Sequence, residues 1–175
     1  MGVFKEYYRG DMARYGKDQS DWYVRHLLKY LRKAQTCKNK FLQGYYRLIY
    51  KCLCKNHGLE IPWRTKIGKG LYLGHVYNIT INSGVVIGDN CNIHKGVTIG
   101  QTNRGNKKGV PTIGNCVWIG INATIVGNIT IGDDVLIAPN SYVNCDIPSH
   151  SVVLGNPCMI KPRENATEEY INNRV

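Results

Sequence analysis

A chain of 175 residues, 43% of them hydrophobic, can bury one ordinary core and is too short for several independent domains. It holds no apolar run of membrane-spanning length, and its opening stretch, MGVFKEYYRGDMARY, has no continuous apolar segment, so a cytoplasmic protein is expected. The net charge of +11 is concentrated at the front, where residues 1–58 hold 13 of the 23 Lys and Arg.

From Lys5 to about Leu53 apolar residues recur at helical spacing: Trp22, Val24, Leu27, Leu28 and Leu31, then Phe41, Tyr45, Tyr46, Ile49 and Leu53. The spacing predicts two or three amphipathic helices, with Asp11 and Ser20 as starts, in an N-terminal helical region at 1–58. Its basic residues, interleaved with aromatics such as Tyr7, Tyr8 and Trp22, read as a solvated helix face. Peripheral contact with an anionic membrane surface is the other reading, and no nucleic-acid partner is expected. The seven cysteines are odd in number and form no CxxC pair, which argues against a disulfide framework and a zinc ribbon.

After His57 the pattern changes. Ile, Val or Leu stands at 61, 67 and 73, at 81, 87, 93 and 99, and at 113, 119, 125, 131, 137 and 143. Four positions after most of these comes another apolar or small residue, such as Leu71, Val85, Cys91, Val97, Val117 or Ala123. Each six-residue unit therefore reads in-out-in and then turns, and three units close a triangular coil of 18 residues. Stacked coils pair each strand with the next and bury the Ile and Val columns, giving a parallel β-helix over 59–162 that the helices can cap at its open end. Glycines at 68, 74, 88, 100, 114, 120 and 132 are expected to supply unusual corner angles. The segment QTNRGNKKGVP leaves the coil as an extended loop at 101–111, and 163–175 is a C-terminal tail.

This repeat resembles the hexapeptide-repeat acyltransferases, whose motif is Ile, Leu or Val, then Gly, two free positions, a small residue and one more. The resemblance implies a mainly β fold, a left-handed parallel β-helix following the α-helical region, acetyl-CoA as co-substrate, no metal, and a homotrimer. Within the family the likeness is nearest to serine acetyltransferase, over about residues 57–162. The segment IPSHSVVLGNPCMI, 147–160, is similar to the pattern by which that family brings the chain off its last coil beside coenzyme A.

The spacing stutters once, from six to eight, between Leu73 and Ile81, and that turn carries His75. Two extra residues push His75 out of the wall, where it can act as the base that takes a proton from an acceptor hydroxyl. Stacking puts Glu60 near the end of the same turn, where it would orient the imidazole. The corner column Gly74, His94, Gly120, Ala138 leaves a groove suited to the pantetheine arm. Gly100, Gln101, Gly120, Ile121, Ala138 and Pro139 are the candidate contacts of coenzyme A, with Arg104 and Lys107 of the loop for its phosphates. His94 reads as a corner residue, or else as a second polar contact to the acceptor.

Serine acetyltransferase has an Asp before its catalytic His and an Arg-His pair in its loop. Here those positions are Gly74 and Gly109–Val110, so a sugar hydroxyl in surface-polysaccharide assembly is the expected acceptor and serine the alternative. A three-histidine zinc hydratase is disfavoured, because only His75 and His94 stack together. A non-catalytic binding scaffold is the remaining class.

Overall fold

The computed structural model describes residues 2–16 and 21–175. Three helices lead the chain: α1 (Val3–Arg14), α2 (Trp22–Thr36) and α3 (Lys40–Lys55). The Asp21 carboxylate caps α2 by accepting the Val24 N–H at 2.8 Å, and the Asn39 side chain caps α3 by accepting from Phe41 and Leu42. Of the two expected starts, Ser20 lies outside the described residues. Asp11 is no start at all, because it lies inside α1 and its carboxylate is taken by a buried ion pair with Arg32.

The rest of the chain winds into three parallel faces. The first stacks Lys66–Ile67, Val86–Ile87, Thr112–Ile113 and Thr130–Ile131. The second stacks Tyr72–Gly74, Asn92–His94, Trp118–Ile119, Val135–Ile137 and Ser151–Leu154, and Met159–Pro162 then adds antiparallel. The third stacks Thr80–Ile81, Thr98–Gly100, Thr124–Val126 and Tyr142–Val143. Register aligns the inward residues into columns, such as Leu73, Ile93, Ile119, Ile137 and Val153 on the second face, all buried.

The repeat glycines do a different job from the one expected. None of those at 68, 74, 88, 100, 114, 120 and 132 has a positive φ; the left-handed corners belong to residues such as Asn90, Asn122, Asp134 and Asn140, with φ between 55° and 58°. Asn and Asp tolerate that region better than other side-chain-bearing residues. Gly100 apart, the glycines are needed because successive coils touch: a Cβ on Gly88 would lie 2.6 Å from the Gly114 carbonyl oxygen, and one on Gly120 would lie 2.6 Å from the Pro139 nitrogen.

The helices close the first coil through two arginines. The guanidinium of Arg32, fully buried, donates to both Asp11 carboxylate oxygens (2.7 and 2.9 Å), to the carbonyls of Ile67 (2.8 Å) and Gly68 (2.6 Å), and to Gln35 (3.0 Å). Arg14 likewise reaches the Gly70 carbonyl and the Asn92 side chain, both at 2.7 Å. These bonds occupy strand-edge carbonyls that a solenoid end would otherwise leave unpaired.

The last residues also pack on the coil. The Asp134 carboxylate accepts the backbone N–H of Ala166 and of Thr167, each at 3.0 Å, and Asn90 exchanges hydrogen bonds with Val175. Among the described residues no helix is long and apolar enough to cross a membrane.

Candidate active site

The stutter is a bulge on the edge between the second and third faces. Leu73 pairs with Ile93, twenty residues on, whereas Ile119 and Ile137 keep the regular spacing of eighteen. His75 (φ 52°) and Asn78 (φ 51°) turn the chain through the left-handed region, and the Tyr77 N–H donates to the His75 carbonyl at 2.8 Å. The two flanking apolar residues, Val76 and Ile79, are buried, and the His75 side chain is exposed. Strand register gives the edge column Gly74, His94, Gly120, Ala138.

His75 lines a cavity of about 290 Å³ with Tyr23, His57, Tyr72, Tyr77 and His94. The His94 ring lies directly over Gly74, so that any Cβ at position 74 would run into its Nδ1 and Cε1. The Trp118 ring braces His94 from the next coil, with centroids 4.8 Å apart. Burial, reinforced by the neighbouring His75, pushes the His94 pKa down to about 4, which leaves a neutral imidazole at pH 7. Its Nε2 is buried without a hydrogen-bond partner, and so is Nδ1 of His57, whose ring stacks 3.6 Å from that of Tyr23.

The depressed value makes stability depend on pH. Between the ordinary histidine value of 6.5 and about 4 the unfolded chain binds a proton that folded His94 refuses, so stability is lost as pH falls through that window. Melting curves from pH 7 down to pH 4 are expected to show this decline, and a His94→Leu protein is expected to show less of it.

Glu60 meets the end of the bulged turn, its N–H donating to the Ile79 carbonyl at 2.8 Å, but it and His75 line different cavities. It pairs with Thr80 at the foot of an outward column on the third face that continues through Thr98 and Thr124. It lines a second cavity, of about 840 Å³ beneath α3, with Arg47, Leu48, Trp63, Asn82 and Gly100. No hydrogen bond joins its carboxylate to His75. Removing a carboxylate that fixes a catalytic histidine costs about 10⁴-fold in a triad, whereas Glu60→Gln is expected to lower kcat/KM by less than about tenfold. Steady-state kinetics of that variant check the point.

The candidate coenzyme A contacts fall on two edges. Gly120, Ile121, Ala138 and Pro139 continue the His75 edge. Gly100 and Gln101 lie at the opposite end of the third face, where Asn82 donates to Gln101 Oε1 at 3.2 Å. Thr102 and Gly109 exchange backbone hydrogen bonds at 3.0 Å, which folds the loop into a hairpin with Arg104 exposed. Lys107 is already engaged, donating from Nζ to the Asn144 carbonyl at 2.7 Å. Gly109 has φ 140° and a Cβ there would lie 2.9 Å from that of Asn128, so this loop path admits only glycine at 109; Val110 packs against the core.

Sequence reasoning missed the cavity's other wall. His94 was visible as a stacked residue, but Tyr23 on α2 and His57 after α3 reach His75 only through the packing of helices on the coil, which no local pattern records. Among the described residues no group of three His, Cys, Asp or Glu could hold a metal ion.

A coil of six-residue units, three faces and inward isoleucine columns defines a class, and residues 111–145 match the bacterial transferase hexapeptide (six repeats) family. The relatives and solved structures to which the chain is similar are serine acetyltransferases. It is 40% identical to the serine acetyltransferase of Helicobacter pylori over 99 residues, 57% of this chain and 58% of that one. The match therefore spans less than two thirds of that relative. The serine acetyltransferase of Brucella abortus in complex with coenzyme A superposes with a TM-score of 0.76 at 25% identity, over 91% of this chain and 68% of that one. The Neisseria gonorrhoeae enzyme in complex with serine gives 0.68 at 27% identity, over 90% and 69%.

Proposed function

We propose that the chain is an acetyl-CoA-dependent O-acetyltransferase with His75 as general base. The observation that carries this reading is an exposed imidazole on the one bulged turn, at the head of the small-residue edge, in a chain similar to serine acetyltransferases. His75 takes the proton of the acceptor hydroxyl as its oxygen bonds to the thioester carbonyl carbon. Collapse of the tetrahedral intermediate breaks the C–S bond, the imidazolium protonates the leaving thiolate, and the products are an acetyl ester and coenzyme A. His75 acts in this reading without a fixed carboxylate partner.

The likeness supports a left-handed coil, and in this reading three copies associate. The two separated edges of candidate contacts fit a groove between adjacent subunits, with Gly120, Ile121, Ala138 and Pro139 from one, and Gly100, Gln101 and the loop carrying Arg104 from its neighbour.

Serine is the acceptor that the relatives favour. A sugar hydroxyl is the second reading, favoured by Gly74 and Gly109–Val110, which leave no charged side chains for the ammonium and carboxylate of free serine. Release of coenzyme A thiol from acetyl-CoA, with serine and a panel of sugars, tests both. Acceptor-dependent release supports the proposal and identifies the acceptor, whereas none with any hydroxyl compound overturns it.

A further inference from the structure

We propose that the cavity beside His75 selects an uncharged acceptor bearing more than one hydroxyl, with His94 hydrogen-bonding a hydroxyl next to the one acetylated. This inference rests on the reading of His75 as the base of an O-acetyltransferase and adds the chemistry of the acceptor. Buried polar atoms are nearly always paired, yet two residues lining this one cavity carry buried ring nitrogens without partners, Nε2 of His94 and Nδ1 of His57. The Tyr15, Tyr23, Tyr72 and Tyr77 side chains and the aliphatic Val24, Leu73 and Val76 also line it. Ring and aliphatic surfaces beside convergent hydrogen-bonding groups suit a small neutral ligand.

Charge decides between acceptor classes. Among the described residues of one chain that line the cavity there is no Lys or Arg to meet a substrate carboxylate. The single carboxylate among those described residues is that of Asp21, an exposed residue already occupied in capping α2. The neutral His94 ring offers a hydrogen bond and no countercharge. Its place is built in, because the ring occupies the space that a side chain at position 74 would need, and Trp118 holds it there.

The test compares wild type, His94→Leu and His94→Gln, all as the full chain, with serine, glycerol, glucose, galactose and N-acetylglucosamine as acceptors. At least one neutral polyol is expected to be acetylated in preference to serine. For it, His94→Leu should raise KM about tenfold, the size of one lost hydrogen bond, with kcat changed less than about threefold and coenzyme A affinity unchanged. His94→Gln, which restores a hydrogen-bonding group, should recover most of the loss. A preference for serine that is indifferent to His94 would overturn the inference and leave the O-acetyltransferase reading intact. If wild type transfers to nothing, the base assignment fails separately, and titration of the polyols against the histidine ring NMR signals still decides: a polyol that shifts His94 and loses affinity in His94→Leu supports the pocket, and no shift of His94 with any polyol overturns it.

Discussion

A His75→Ala protein is expected to bind coenzyme A as wild type does and to lose about 10²- to 10⁴-fold in acceptor-dependent turnover, the usual contribution of a positioned general base. The side chain is exposed and has no hydrogen bond to lose, so packing should be little disturbed. Its backbone is another matter, since φ is 52° at this position and alanine tolerates the left-handed region poorly, at about 1–2 kcal/mol. His75→Asn is the cleaner companion, because Asn adopts that conformation readily and supplies no base. Both variants should lose turnover alike, with only the alanine protein melting lower. Full turnover in the asparagine protein would remove His75 from the chemistry.

The second large effect is structural. Arg32→Ala is expected to cost about 3–5 kcal/mol, because it leaves the buried Asp11 carboxylate without its partner. Burial already pushes the Asp11 carboxyl up against the pull of Arg32 and of the Leu71 N–H, so the ion pair adds little net stability while its rupture is severe. The strand-edge carbonyls of Ile67 and Gly68 lose their donors as well. For a chain of this size the melting temperature should fall by roughly 6–20 °C. Removing Asp11 together with Arg32 should cost less than the two single changes added together, since neither charge is then left alone. A loss below about 1 kcal/mol in Arg32→Ala would show that the helices do not depend on this clamp.

Much of the coil could be read in the sequence because its signal is local and repeated. A six-residue period fixes which residue faces inward, and the observed pairs Leu73–Ile93 and Ile119–Ile137 follow from counting. The same counting placed Glu60 at the right height, stacked with Thr80. It gave no direction around the coil, and the Glu60 side chain belongs to the third face while His75 stands on an edge. The repeat glycines were assigned to corner angles because that is what glycine does within one chain segment. Gly100 apart, their actual constraint is the approach of the next coil.

The two departures from the serine acetyltransferase pattern show what sequence comparison leaves out. Read singly, Gly74 and Gly109 are lost side chains. In the fold each is matched to a neighbour, Gly74 to the His94 ring and Gly109 to Asn128, so neither position accepts the relatives' residue without local rebuilding. Similarly, Asp11 looks like a helix cap, and only its contact with Arg32, 21 residues on, shows otherwise.

The most direct measurement follows the acetyl group itself. Acetyl-CoA labelled with ¹³C in the acetyl carbonyl is incubated with the 175-residue protein and each acceptor, and the label is followed by NMR. An ester carbonyl should appear on one hydroxyl acceptor with wild type and not with His75→Asn; label that stays on coenzyme A with every acceptor, or moves equally well in the variant, would contradict acetyl transfer at His75.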